Sequence, residues 1–275
     1  MAANIKFKKR NTPMSAHAYL EHGVSILKAR LESPNAGLSA AASHVINPFV
    51  TLSREVCAGA TTLGRSLLPR LNLEFGEDGQ EWVLLDKDLL GFALARHDLP
   101  EQLARYLPED KISEIDAAIG EMIGLHPSIW ELEQRVAQTI VQLAHVGRFI
   151  FVGRAAHLLT LSLPGGFHVR LVAAKEARVR RLMELQGCDT GAAESHIDRT
   201  DNARRKFVKS HFGREIDDPH TYDLVINTDR ISPGAAANLV LEGLRHQMGN
   251  VRRSTPGSTL GTWAAESDHP VWSIR

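Results

Sequence analysis

Cysteine is nearly absent from this chain: its 275 residues hold only Cys57 and Cys188. They are far apart and lack C-x-x-C spacing, which excludes a disulfide framework and argues against a cysteine-rich zinc site. An excess of charge of either sign is also missing. Lysine and arginine total 32, aspartate and glutamate total 32, and the sequence pI is about 7.3. A global electrostatic attraction to nucleic acid or to a membrane surface therefore has no source. No apolar run approaches the roughly 18 residues that span a bilayer. The basic run from Lys6 to Arg10 has no apolar segment behind it, so a secretory signal is not expected. These absences predict a cytoplasmic chain that partners neither nucleic acid nor membrane. His157, His196, His211 and His220 lack metal-ligand spacing, and Ser53 has no G-x-S-x-G around it. Neither a histidine metal cluster nor a hydrolase triad is expected.

What is present is an alternation of apolar runs and helical patterns. Strands are expected near residues 49–53, 82–86, 149–152, 168–174 and 223–227. Between them lie helical patterns at about 61–71, 87–95, 100–107, 111–123, 128–145, 175–186 and 190–210, with a last one at 233–247. Continuous apolar strands separated by helices predict an α/β fold, a parallel five-stranded sheet covered on both faces. In such sheets ligands bind beyond the carboxyl ends of the strands. Ser53, Asp86, Gly153, Arg154 and Ala174 fall at those ends and should share one rim. Residues 1–47 form an N-terminal extension with one helix, on Ala16, Leu20, Val24, Leu27 and Leu31, capped by Ser15. Residues 48–250 form the main domain, and 251–275 a flexible tail. The extension and the tail are the segments through which a homo-oligomer would form.

The most informative stretch joins the first strand to its helix: Ser53-Arg54-Glu55-Val56-Cys57-Ala58-Gly59-Ala60-Thr61-Thr62-Leu63-Gly64. A strand, a small-residue turn and a helix N-terminus make a phosphate site, because unpaired N–H groups and the helix dipole converge there. The stretch resembles a P-loop without its lysine: that slot falls on Ala60 or Thr61, while a hydroxyl survives at Thr62.

Four segments in order are similar to the cytidylate kinase-like family of P-loop nucleoside monophosphate kinases. They are Ser53 to Gly64, like S-R-E-x-G-S-G-G-x-x-x-G; Val152-Gly153-Arg154-Ala155-Ala156, like V-G-R-G-A; Asp201 to Arg204 with Phe207 and Phe212-Gly213, like a D-x-x-R helix; and Tyr222 to Thr228. The resemblance spans roughly 48–247. It implies a P-loop three-layer sandwich, a helical lid at about 188–213, ATP with Mg2+, and a pyrimidine nucleoside monophosphate as acceptor. It also implies an ATP-binding loop of Ser53, Arg54, Cys57, Ala58, Gly59, Ala60, Thr61 and Thr62. Asp86, Gly153 and Arg154 then face the acceptor, and Arg154, Arg204 and Asp201 serve the transfer. The family's G-S-G-G reads Cys57-Ala58-Gly59-Ala60 here. If the replaced glycines adopt positive φ, Cys57 and Ala60 are each strained by roughly 1–2 kcal/mol.

Each residue has a plainer reading beside this one. Thr62 places a hydroxyl on magnesium or merely sits in a first turn, and Thr61 could do either job. Arg54 supplies the missing positive charge or forms a solvated pair with Glu55. Asp86 binds acceptor or magnesium, or caps the next helix. Arg154 grips a phosphate or pairs with an acid. Asp201 and Arg204 belong to a lid, or to ordinary helix-surface pairing. Arg178, Arg180 and Arg181 are mostly surface on this reading, with one available to nucleotide. The leading function is ATP-dependent phosphoryl transfer to a nucleoside monophosphate or related small acceptor. The alternatives are a catalytically weak nucleotide-binding protein with a regulatory or assembly role, and a kinase of a non-nucleotide acceptor.

Overall fold

The computed structural model describes residues 46–76, 81–86 and 129–253. The expected helices at 87–95, 100–107 and 111–123, the N-terminal helix and the tail beyond Arg253 lie outside the described residues; residues 251–253, expected in the flexible tail, are helical. Five strands form one sheet: β1 (Phe49–Arg54), β2 (Val83–Leu85), β3 (Phe149–Val152), β4 (Gly166–Val172) and β5 (Leu224–Asn227). Their order is β2-β3-β1-β4-β5 and every neighbouring pair is parallel. The helices are α1 (Ala60–Phe75), α2 (Ile129–Val146), a single turn α3 (Ala156–Leu159), α4 (Lys175–Gln186), α5 (Thr190–Phe212) and α6 (Pro233–Arg253).

Side-chain alternation along the strands builds two unlike layers. On one face Val50, Leu52, Ile150, Val152, Val169 and Leu171 meet Leu63, Leu67 and Leu71 of α1 and Ala237, Val240 and Leu244 of α6. On the other, Phe49, Phe149 and Phe151 meet Ile140 and Leu143 of α2. That second face turns polar where β1 meets β4. Thr51, Ser53, His168 and Arg170 are all buried there. Each is bonded: Thr51 Oγ1 to His168 Nδ1 at 2.8 Å, and Arg170 Nη1 to Ser53 Oγ at 3.1 Å. Arg170 also pairs with Asp217 and lies over the Tyr222 ring.

Helix ends follow local chemistry. Asp189 caps α5 by accepting the Ala192 N–H at 2.8 Å, while Gly187 and Gly213 close α4 and α5 in the left-handed region. Two helices outrun their expected spans by a turn or more: α1 continues through Pro69 to Phe75, and α6 reaches Arg253. The turn α3 was not anticipated. No helix among the described residues is long and apolar enough to cross a membrane.

Two histidines are held neutral in this interior. Burial, with the nearby His168 and Arg170 charges, lowers His157 from 6.5 to about 3. Burial also lowers His168, opposed by Asp223. The unfolded chain therefore binds protons below pH 6.5 that the native chain refuses. Stability should be fully present above pH 6.5 and fall as the pH drops, for His157 down toward about 3 by up to about 1.4 kcal/mol per pH unit, with His168 adding a loss of the same sign. Urea titrations at pH 7.5 and 5 check this; an equal midpoint at both would contradict it.

Candidate active site

The loop after β1 is shaped by groups far away in the chain. The Glu55 N–H continues the ladder to Leu171 O at 3.0 Å. Its carboxylate accepts the Ala173 N–H at 2.9 Å and faces Arg178 Nε at 3.5 Å. The Val56 N–H donates to Asp201 Oδ1 at 2.9 Å, and Asp201 Oδ2 accepts from Arg178 Nη1 at 2.5 Å. Arg178 also donates to Ala173 O at 3.0 Å, and Arg181 donates to Cys57 O at 3.2 Å. Arg178 and Asp201 are each only 7% exposed. Glu55 thus pairs with Arg178, not with Arg54, and Asp201 is turned to the underside of the loop.

The loop then makes two left-handed residues, Cys57 at φ 57° and Gly59 at φ 86°. The expected strain falls on Cys57 alone. Ala60 escapes it, because it is already the first residue of α1. Ala58 is fully buried, so it offers only its backbone. Burial raises the Cys57 thiol pKa against the opposing charges of Arg178, Arg181 and Arg204, which keeps the thiol protonated. The N-terminus of α1 has no side-chain cap and no acid in its first turn. Its backbone donors are therefore available to an anion. Thr61 Oγ1 donates to Asp86 Oδ2 at 2.5 Å, joining the helix start to the end of β2. Thr62 is exposed, so the hydroxyl that meets the carboxylate is that of Thr61.

The three residues after β3 are left-handed: Gly153, Arg154 and Ala155 have φ of 84°, 56° and 49°. Two consecutive left-handed residues with side chains cost on the order of 1–2 kcal/mol each. Glycine suits 153 first by conformation, and second because it spares the movable head of Arg54. Its φ favours it, and a Cβ there would lie 1.8 Å from Arg54 Nη1, because that guanidinium lies against the turn. From α5, Arg204 Nη1 reaches to 3.4 Å from Arg54 O and 3.7 Å from Asp201 Oδ1.

The result is one narrow cleft at the carboxyl rim. Ser53, Arg54, Gly153, Arg154 and Arg204 line its polar side; Ala155, Phe207, Val208 and Ile216 line its apolar side, with His157 among them. Ser53 is buried beneath it, bonded to Arg170 and to Tyr222 Oη at 3.1 Å, while Tyr222 donates to Ile216 O at 2.8 Å.

Of the expected site residues, the structure gathers Ser53, Arg54, Gly153, Arg154 and Arg204 around this cleft and pairs Thr61 with Asp86. Asp201 lies beneath the loop. Sequence reasoning missed the roles of Glu55, Arg178 and Arg181. One signal was available for Arg178: it adjoins Val179 and stands four before Leu182, on the buried stripe of α4.

Residues 49–230 match the cytidylate kinase-like family. The chain belongs to that family. An S-adenosylmethionine-dependent nucleotide dehydratase from Lacinutrix mariniflava is 23% identical over 216 residues, 78% of this chain and 39% of that protein. The chain thus spans about two fifths of the length of that relative. Among solved structures, an uncharacterized protein from Eubacterium ventriosum is 17% identical with a TM-score of 0.53, covering 72% of this chain and 99% of the other. It shares the family fold. A shikimate kinase from Bacteroides thetaiotaomicron aligns more loosely, with TM-score 0.42 and 14% identity over 74% of this chain and 98% of that one.

The buried pair beneath the loop carries a measurable load. Removing one partner of a buried ion pair leaves an uncompensated charge, typically worth about 3–5 kcal/mol. Asp201→Ala should therefore lower unfolding stability by about 3 kcal/mol. The double variant Asp201→Ala/Arg178→Met should cost less than the sum of the single changes. Urea denaturation of the four-member cycle checks this, with additive losses as the contrary result.

Proposed function

We propose that this chain is an ATP-dependent phosphotransferase whose acceptor is a nucleoside monophosphate of the cytidylate type or a related small phosphate. The observation that carries this is the convergence of Arg54, Arg154 and Arg204 on one cleft, together with an uncapped start of α1 at the far end of the loop that Arg54 opens. Phosphoryl transfer asks the protein for positioning and positive charge more than for covalent chemistry. Backbone N–H groups of the loop and of the first turn of α1 would hold the triphosphate. Arg54, reaching over Gly153, supplies the cation that a P-loop lysine would bring. Arg154 would grip the acceptor phosphate, and Arg204, carried by the lid helix α5, the group in transfer. Asp201 serves as a positioning residue: it fixes the Val56 N–H, and with it the loop, to α5.

The residues present also fit a divalent cation. Thr61 and Asp86 offer a hydroxyl and a carboxylate already in contact. No cluster of three or more His, Cys, Asp or Glu occurs among the described residues. Such a partial protein set suits Mg2+, which takes one or two carboxylates plus phosphate oxygens and water. Bound there, Mg2+ would neutralise charge on the phosphates. On this reading the metal-side hydroxyl belongs to Thr61, not Thr62.

A second reading has its own support. The altered loop, with Cys57 and Ala60 in place of glycines, and the relative named as a nucleotide dehydratase both suit a domain that binds nucleotide without rapid transfer. Incubation with ATP, Mg2+ and CMP, dCMP or UMP, followed by nucleoside diphosphate formation and by calorimetry, separates the two. Product supports transfer; binding alone supports the second reading.

Arg154→Ala and Arg204→Ala should each lower turnover about a hundredfold with the fold intact, since each removes charge stabilisation worth several kcal/mol. Unchanged rates in both would return these arginines to structural roles. Arg54→Ala should instead weaken ATP-analogue affinity by more than the ~0.5 kcal/mol typical of an exposed surface change. Titration calorimetry at matched salt reads this, and equal affinities would remove Arg54 from the site. Thr61→Ala should raise the Mg2+ concentration needed for half-maximal rate, while Thr62→Ala should not; magnesium dependence of turnover distinguishes them.

A further inference from the structure

His157 lines the cleft, and the assignment above gives it no task. It is 3% exposed, in the turn α3 that follows the left-handed Gly153–Ala155 segment. Its ring stacks on Tyr222, with centroids 4.6 Å apart and planes 21° from parallel. Its Nε2 is buried and has no hydrogen-bond partner among the described residues. A buried polar atom without a partner destabilises the fold, so its retention calls for an explanation. The neighbouring walls suggest the partner. Phe207, Val208, Ile216 and Ala155 make an apolar side opposite the arginines.

We propose that His157 is a specificity-determining residue, hydrogen-bonding the polar edge of the acceptor's base while Arg154 holds its phosphate. The inference rests on the phosphotransferase reading and adds to it the group that inspects the base. Each part follows from chemistry. A base has flat apolar faces that suit Phe207 and its aliphatic neighbours, and an edge of donors and acceptors that suits an imidazole. Stacking on Tyr222 holds the ring orientation, and Tyr222 is itself tied to Ile216 O and Ser53. Burial beside His168 and Arg170 keeps the imidazole neutral, so one ring nitrogen accepts while the other carries the proton.

The test uses the full chain and two ligands that share a phosphate but not a base. With histidine 15N-labelled, CMP should move the His157 Nε2 resonance, and ribose 5-phosphate should bind without moving it. His157→Phe keeps an aromatic ring against Tyr222 but has no polar atom. It should raise the KM for CMP about tenfold and shrink the preference between CMP and UMP, with the KM for ATP unchanged. His157→Gln, which restores an amide donor and acceptor, should recover part of the loss. Bound CMP with an unmoved Nε2 resonance would overturn the proposal, leaving His157 partnered by water. An unchanged acceptor KM and preference in folded His157→Phe would overturn it as well. If that variant does not fold, the resonance of the wild-type chain decides. Absence of any CMP binding to the wild type would instead overturn the underlying reading, and this inference with it.

Discussion

A buried arginine between two carboxylates governs the arrangement of this rim. Arg178 on α4 meets Glu55 at the start of the loop and Asp201 on α5, and Asp201 in turn holds the Val56 N–H. Three segments distant in sequence are thereby fixed to one point. In a low-dielectric setting such a cluster is costly unless every member is satisfied. Here it is: the remaining bonds go to the Ala173 N–H and Ala173 O at the end of β4. The apolar residues Val56, Val179, Leu182, Ala193 and Ile197 pack beside it and exclude water. The loop is thus held by its buried side, which leaves its other side to ligand.

The polar half of the second sheet face serves the same end. An apolar layer beneath Ser53 would leave its hydroxyl buried without a partner. Instead Arg170, Asp217 and Tyr222 form a bonded chain from β4 through the segment before β5. His157 stacks on the last member of that chain. The cleft floor is therefore a network whose members position one another. Such networks tolerate single substitutions poorly, because each removal strands a neighbour.

Much of this was legible in the sequence, and unevenly so. Phe149–Val152 and Lys175–Gln186 were read to the residue. The first is a wholly apolar run between Gly147-Arg148 and Gly153, and the second ends at a glycine in the left-handed region. The parallel sheet followed from continuous apolar strands, and from it Ser53, Asp86, Gly153, Arg154 and Ala174 were expected at strand ends on one rim. Interactions across long separations were not legible. Val56 and Asp201 are 145 residues apart, and nothing local distinguishes Asp201 from a helix-surface acid paired with Arg204. Local spacing likewise could not say which of two adjacent threonines meets Asp86. That depends on where α1 begins, and α1 begins at Ala60, so Thr61 is the one turned toward β2.

The contact between Arg54 and Gly153 has a consequence for descent. The arginine's guanidinium occupies the volume that any side chain at 153 would need. A lineage in which residue 153 gains a side chain must reposition or lose the arginine at 54. A lineage in which residue 54 becomes small removes the steric part of the demand for glycine, although the left-handed φ still favours it. The link between positions 54 and 153, almost a hundred residues apart in the chain, is thus one that a swing of the flexible Arg54 head relieves, so the left-handed φ is the stricter demand at 153.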